Sequence, residues 1–327
     1  MSKRVLITGF GALVPAAVAD GTAAPEITGF EVPEGAPTFG YELLDFKVEE
    51  HFPNIKTYLD RVSALALTGA KLALENAGLR DQTTRPAGLE IGCAYGTTFG
   101  GLDSMGLFWK KAKTANPKFA PPLVFTHGYA NSPSSLVCIE FGLRGPAATF
   151  SGSNLSGVEA LQFAFDQIAA ANDAGEAACM LVGASEALSA ALHAHLNAEK
   201  LLSASGKAQV GIIPGEGAVF LVLESEASVA ARGRVPLAVL HGVGMAANAD
   251  WNTARAQAHA DSSTPTNVIH TGTGTKGSSN AGQHVHGAEF FSVAPLLGIT
   301  QACSGKPASI HAEDPAGNVG VLVIREK

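Results

Sequence analysis

One segment limits the folds open to this chain more than any other. Arg144–Gly157 reads RGPAATFSGSNLSG and runs directly into the apolar helical pattern VEALQFAFDQIAAA. That order describes a strand, a sharp turn of small residues and a buried helix. Such a frame presents one side chain at a helix N-terminus, where unpaired N–H groups and the helix dipole would lower the pKa of a thiol. The residue at the head of this turn is Asn154, an amide with no nucleophilic character. Asn is among the strongest N-capping residues, so a cap on the buried helix is expected of it. Ser151, Ser153 and Ser156 add hydroxyls nearby. A serine nucleophile needs an adjacent base held by a third group, and no such arrangement is legible.

Around this segment, short β-branched runs alternate with helical periods. Val5–Thr8 reads as a strand ending in a glycine turn at Gly9–Gly11, although Met1–Ala19 imitates a secretory signal. Ala23–Lys47, rich in Pro, Gly and acid, reads as an irregular surface excursion. Tyr58–Gly78 is an amphipathic helix closed by Gly78, and Leu89–Tyr95 a strand leading to the turn GTTFGG. Further on come a strand at Ala178–Val182, the turn GASEA, a helix with His193 and His195, and a buried strand after PGEG. Alternation of this kind predicts a layered α/β protein with a substantially parallel inner sheet. A seam is expected at Arg232–Arg234, and less pattern is recognisable beyond Val235.

Composition narrows the function classes. With 46% hydrophobic and 16% charged residues, the chain has ample apolar material for a large core. A net charge of −7, without basic runs, argues against a nucleic-acid surface. Cys93, Cys138, Cys179 and Cys303 lie far apart in apolar segments and read as reduced core thiols, which points to the cytoplasm. No stretch is long and apolar enough for a membrane span. His193/His195 and His284/His286 are spaced i, i+2 with no carboxylate or cysteine arranged around them, so no metal is expected. No cofactor fingerprint is present either.

Seven segments, in order, resemble the β-ketoacyl-acyl-carrier-protein synthases, condensing enzymes of the thiolase fold. They are RVLITGFGALVP, YLDRVSALALTGAKLALENAGL, GTTFGG, GLRGPA, SNLSG, MLVGASEA and PGEGAVFLVLESEASVAARG. The resemblance implies an α/β thiolase-like fold, with two related halves in a layered αβαβα arrangement and a shortened C-terminal half. It divides the chain into a ketosynthase-like half, 1–234, and a truncated thiolase-like half, 235–327.

The family's condensing cysteine falls on Asn154. Its second histidine, in a His-x-x-Gly-Ala context, falls on His284 in HVHGA, and a preceding lysine on Lys276 with a longer spacing. Its first histidine has no clean counterpart: His259 in AHADSSTP is out of register by one residue, and His270 opens HTGTGT. The C-terminal glycine loop is reduced to DPAGNVG, with the gatekeeping phenylalanine replaced by Pro315 and Gly317 and Gly320 left from the loop. Met105, Phe108 and Trp109, in the helix after GTTFGG, fall where partner subunits close the end of the acyl tunnel. Pro121–Cys138 falls where the family builds its dimer interface, or is a plain buried loop.

Taken with the missing thiol, the resemblance implies a chain-length-factor-type subunit, unable to condense, in a heterodimer with an active ketosynthase. Acyl carrier protein would be a partner of the complex, and the net charge of −7 argues against a strong carrier site on this subunit alone. Two alternatives remain open: a malonyl-thioester decarboxylase or priming ketosynthase that keeps His284, and a homodimeric acyl-binding protein without catalysis.

Overall fold

The computed structural model describes residues 4–19, 23–55, 58–81, 83, 85, 89–114, 117–205, 211–259, 267–271, 283–284 and 289–326, with Ala19, Gln283 and His284 described by backbone alone. The first half begins with β1 (Val5–Leu13), α1 (Ala16–Ala19), α2 (Val48–His51), α3 (Arg61–Ala77), β2 (Ile91–Thr97), α4 (Leu102–Thr114), α5 (Pro122–Thr126) and α6 (Ser132–Phe141). It continues through β3 (Ala147–Ser151), α7 (Ser156–Ala174), β4 (Cys179–Glu186), α8 (Ala190–Ala198), β5 (Gly217–Glu224) and α9 (Glu226–Arg232). The remainder comprises β6 (Ala238–Ala246), α10 (Trp251–Gln257), β7 (Val268–Thr271), β8 (Gln283–His284), a 3₁₀ turn at Phe291–Val293, α11 (Ala294–Ser304), β9 (Ala308–Glu313) and β10 (Val319–Arg325).

The ten strands form one hydrogen-bonded series, β3-β2-β4-β5-β1-β6-β10-β9-β7-β8. Its two ends have the same construction. In the first five strands β2 lies parallel to β3 and β4, while β5 runs antiparallel to β4 and β1. In the last five, β7 lies parallel to β8 and β9, while β10 runs antiparallel to β9 and β6. Numbered within each half, both read 3-2-4-5-1. The stretch after Val235, nearly featureless in the sequence, therefore repeats the topology of the first.

Five layers follow from what each helix covers. The apolar face of α3 packs with α6 against β2, β4 and β5, around Leu65, Leu74, Val137, Leu181 and Phe220. On the opposite face α7 and α11 lie together, burying Val158, Leu161, Ile168, Leu296 and Ile299 with Val182, Leu221, Ile310 and Leu322 from both halves. Beyond the second set of strands, α10 closes Ala254 and Ala258 over Val319, Val321 and Val323. Helix α7 lies in this middle layer with Val158, Leu161, Ala164, Phe165 and Ile168 buried, while Asp166 and Gln167 stay exposed on its other side, so its sequence is apolar on the face turned to the strands.

Local chemistry places these elements. Asp60 caps α3 by accepting from Ser63 N at 3.2 Å, and Gly78 ends it at φ 71°. Strand β1 does not stop at Thr8 as expected; it continues through the glycines to Leu13. A Cβ at Gly9 would sit 2.6 Å from Ala77 N, and one at Gly11 2.5 Å from Ala73 N. These glycines let α3 lie close on the strand rather than turning the chain. The Pro121–Cys138 segment is likewise no simple loop, since it contains α5 and the first seven residues of α6. The excursion 23–47 is tied down: Tyr41 bridges to Gly215 and is 3% exposed.

Candidate functional site

Strand β3 delivers the chain to Gly152, whose φ of 129° suits glycine, and the turn 152–155 then enters α7. Two serines hold the turn: Ser156 Oγ accepts from Ser153 N at 3.2 Å, and Ser153 Oγ accepts from Leu155 N at 3.0 Å. These hydroxyls are engaged by backbone donors, which leaves them in a structural task. Asn154 is buried, 8% exposed. Contrary to the sequence expectation it does not cap α7. The capping position belongs to Leu155, with no side-chain bond. The amide thus takes its place at the helix N-terminus through the backbone of the turn alone.

Beneath the turn lies Glu186, at the end of β4 and 1% exposed. Its carboxylate accepts from the Thr97 hydroxyl at 3.2 Å, Phe99 N at 3.3 Å, Thr98 N and the Ser292 hydroxyl. Burial outweighs these four donors and pushes the Glu186 carboxyl up to about 7. Thr98 in turn donates to Ser153 O at 3.1 Å. Glu186 therefore joins the GTTFGG turn, the Asn154 turn and the second half of the chain. The sequence reading passed over it, yet an acid ending the apolar run MLVGASE needs buried partners, and that signal was available.

Ser292 approaches because Gly157 leaves room: a Cβ there would lie 2.1 Å from Ser292 O. Phe291, 3% exposed, adopts φ 49° and packs edge-on against Phe99 with centroids 4.9 Å apart. Such a backbone angle in a buried aromatic persists only where surrounding contacts enforce it.

The DPAGNVG segment turns β9 into β10 beside α7. Asp314 accepts from Ala316 N, Asn318 N and Asn318 Nδ2, each at 2.9 Å. Gly317 supplies φ 81°, whereas Gly320 lies against Val158 and Leu155 of the Asn154 region. Glu159, on the first turn of α7, is pushed up by burial and by the Asp314 charge. Pro315 is exposed.

The other expected residues fall in different places. The backbone of His284 pairs with His270 on β7, and Lys276 lies outside the described residues. His270 meets His311 with ring centroids 5.5 Å apart, and Trp251 of α10 lies 5.4 Å from His311. Because Ile310 and Ala312 face α7 and α11, the alternation of β9 turns His311 toward α10, away from Asn154. Burial draws His311 down to about 4. His259 follows the C-terminal end of α10, with its ring 6.5 Å from His241. Neither sequence candidate for a first histidine is placed in contact with the Asn154 turn. Among the described residues no cluster of three or more His, Cys, Asp or Glu side chains is arranged to hold a metal.

Met105, Phe108 and Trp109 lie on α4 in a surface aromatic cluster. Phe108 packs against Phe125 at 4.9 Å and Trp109 at 5.8 Å, and Phe125 against Tyr129 at 5.3 Å. Met105 fills the space over Gly128. Trp109, at 53% exposed, turns outward, and Phe119, Leu123 and Ile139 are exposed as well.

Known proteins resemble this chain in sequence and in fold. Residues 35–228 match the family described as beta-ketoacyl synthase, N-terminal domain. The 3-oxoacyl-[acyl-carrier-protein] synthase 2 of Staphylococcus aureus (strain N315) is 26% identical over 279 residues, 78% of this chain and 66% of its own length. The chain thus spans just under two thirds of that relative. The ishigamide ketosynthase/chain length factor structure superposes with a TM-score of 0.83 at 19% identity, over 100% of both chains. A type II polyketide synthase acyl-carrier protein in complex with its ketosynthase bound to the hexaketide gives 0.75 at 21% identity, again over 100% of both. The fold is that of the thiolase-like ketosynthases.

Proposed function

The chain belongs to the beta-ketoacyl synthase family, and from that premise we propose that it is a chain-length-factor-type subunit, unable to condense, that pairs with an active ketosynthase and shapes its acyl tunnel. The observation that carries the reading is Asn154. The strand, the glycine turn and the buried helix are all in place, while the side chain they present is an amide. Acyl transfer through a covalent intermediate needs a nucleophile at this point. Ser153 and Ser156 do not replace it, since both hydroxyls hold the turn. In this role the carbon–carbon bond forms at the partner's nucleophile. This chain then supplies shape, with its own two halves dividing at residues 234 and 235.

An unpartnered face supports the pairing. β3 is an outermost strand of the series, bonded to β2 on one side. α6, which meets β3 at Ser134 and Thr149, exposes Ile139, while α4, α5 and the turn after α5 expose Trp109, Leu123 and Tyr129, so free strand edge and apolar surface suited to a second folded chain are both present. Lys110, Lys111 and Lys113 are exposed on α4, with exposed Lys118 in the turn that follows. This local charge is opposite in sign to the net −7, so it favours an acidic partner such as an acyl carrier protein docking on the complex.

Co-expression with a candidate ketosynthase tests the reading, followed by size-exclusion mass measurement and product analysis. A one-to-one complex whose product depends on this chain is expected. The reading fails if the chain alone acquires an acyl adduct from labelled acyl carrier protein, seen by intact mass.

A further inference from the structure

We propose that His127 is a proton-operated latch on the α5 corner: protonated, it pairs with Asp60 and holds that corner against α3 and α4, and neutral, it releases it. His127 follows the last residue of α5, and its Nδ1 lies 3.4 Å from Asp60 Oδ1, with the two side chains 9% and 5% exposed. Asp60 caps α3 by accepting from Ser63 N at 3.2 Å, and it also accepts from the Ser104 hydroxyl of α4 at 3.3 Å. Tyr58 shares a hydrogen bond with that hydroxyl at 3.1 Å and meets the His127 ring edge-on, with centroids 5.1 Å apart. One buried carboxylate therefore meets three elements, and His127 brings the α5 corner to it.

The geometry makes this contact depend on a proton. Nδ1 is within ion-pair reach of Asp60 but off the line of a hydrogen bond, and among the described residues it has no hydrogen-bond partner. A neutral imidazole gains little there and leaves a buried polar nitrogen unsatisfied. An imidazolium gains Coulomb attraction, which needs proximity rather than alignment. On the α4 side, Asp103 lines a small cavity together with Asp60, and its carboxyl is raised by burial and by the Asp60 charge. The cation next to Asp60, Arg61, is bound to Glu216 at 2.7 Å, and α5 itself carries no charged side chain.

Little else fixes α5. It has five residues, too few for a stable helix alone, and Val124 is its one buried residue. The corner after it is closely seated: a Cβ at Gly101 would lie 2.2 Å from His127 O, and one at Gly128 would lie 2.6 Å from Met105 Cε. Two residues to either side of His127, Phe125 packs on Phe108 and Tyr129 packs on Phe125. Releasing His127 therefore loosens the aromatic surface from Phe108 to Tyr129. That a loosened surface pairs less well rests on the role proposed above.

Amide hydrogen exchange, read by peptide mass on the full-length chain from about pH 5.5 to 8, tests the latch, with exchange times corrected for the intrinsic pH dependence. Peptides covering Pro121–Asn131 are expected to lose about tenfold in protection across that range, relative to peptides of α7, which follow the stability of the whole fold. His127→Gln cannot take up the proton and should abolish the dependence. Asp60→Asn keeps a capping side chain but removes the charge, and should abolish it as well. A flat wild-type profile, or the wild-type slope persisting in either variant, would overturn the latch. Should one variant fold poorly, the wild-type profile and the other variant decide. Assembly with a ketosynthase is read separately by size exclusion at pH 6 and 8. Less complex at pH 8 for the wild type, and no pH dependence for His127→Gln, is expected. Equal complex at both pH values despite the change in exchange would overturn the link to pairing. The change in exchange with no complex at either pH would support the latch and count against the pairing role alone.

Discussion

Ser292 donates its hydroxyl hydrogen to Glu186, joining residues 106 positions apart beneath the Asn154 turn. The bond ties the 3₁₀ turn before α11 to the end of β4, and so the second half of the chain to the first. Glu186 is the buried centre of that junction, and its carboxyl is held up to about 7 against an ordinary value of 4.5.

The junction makes stability depend on pH in a definite direction. The unfolded chain releases this proton near pH 4.5, whereas the folded chain keeps it until about 7. Between those values the folded state binds more protons, so the contribution is full below pH 4.5 and declines as pH rises to about 7, then levels. The whole window is worth on the order of 3 kcal/mol. In urea titrations from pH 4.5 to 8, Glu186→Gln should gain on the wild type by about that amount with rising pH. Parallel curves for the two proteins would remove Glu186 from this role.

Gly157 should tolerate no side chain. An alanine methyl would meet Ser292 O at 2.1 Å, and neither that backbone carbonyl nor the Ala184 Cβ at 3.6 Å is a flexible group that could yield. Gly157→Ala is expected to lose about 1–3 kcal/mol by overpacking, read as a lower denaturation midpoint. Gly175→Ala at the other end of α7 is a useful contrast. It has open space around its Cβ, so its cost comes only from the φ of 72°.

These two residues show what the sequence carried and what it did not. The strand–turn–helix at Asn154 was legible because small residues, an apolar helix and their order are local signals. The same holds for α3, whose Asp60 and Gly78 ends are written in adjacent residues. The repeat in β6–β10 was not legible: its strands are short, β7 has four residues and β8 two, and their pairing is set across the fold. Gly9 and Gly11 were misread as a turn because a glycine needed for close helix approach looks, in sequence, like one needed for a bend. Asn154 was misassigned as a cap for a related reason, since capping is a geometry of two residues and the turn had placed Leu155 there instead.

Restoring the thiol should not restore condensation. Asn154→Cys places a sulfur at the N-terminus of α7, but His270 and His311 face α10 and cannot assist. The loss of one donor to a developing oxyanion costs roughly 3–4 kcal/mol in comparable sites. The variant alone is therefore expected to show no measurable condensation of acyl and malonyl thioesters by product mass analysis. Turnover near that of an ordinary ketosynthase would mean that other residues supply those donors.

Pairing can be separated from stability at Ile139. Its side chain is 77% exposed on α6, so Ile139→Asp should leave the isolated chain within about 0.5 kcal/mol of the wild type. A charge facing an apolar partner surface would nonetheless weaken assembly. Size-exclusion of the co-expressed pair should show loss of complex with an unchanged melting transition of this chain. Intact complex at wild-type yield would move the pairing face elsewhere.

The aromatic cluster on α4 gives the most specific consequence of the proposed role. Phe108 packs on Phe125, and Met105 fills the space over Gly128, so both occupy volume between α4 and α5. If that volume closes the partner's acyl tunnel, a further extension unit meets an overpacking cost of about 1–3 kcal/mol, and truncation removes it. Phe108→Ala and Met105→Ala should then lengthen the product of the assembled pair. Trp109→Ala should not, because that ring is 53% exposed and turned outward in this chain. Product lengths normalised to the amount of intact complex decide the matter. Lengthening by Phe108→Ala but not by Trp109→Ala assigns the gate to the inward side of α4, and unchanged lengths from well-assembled complexes reject it.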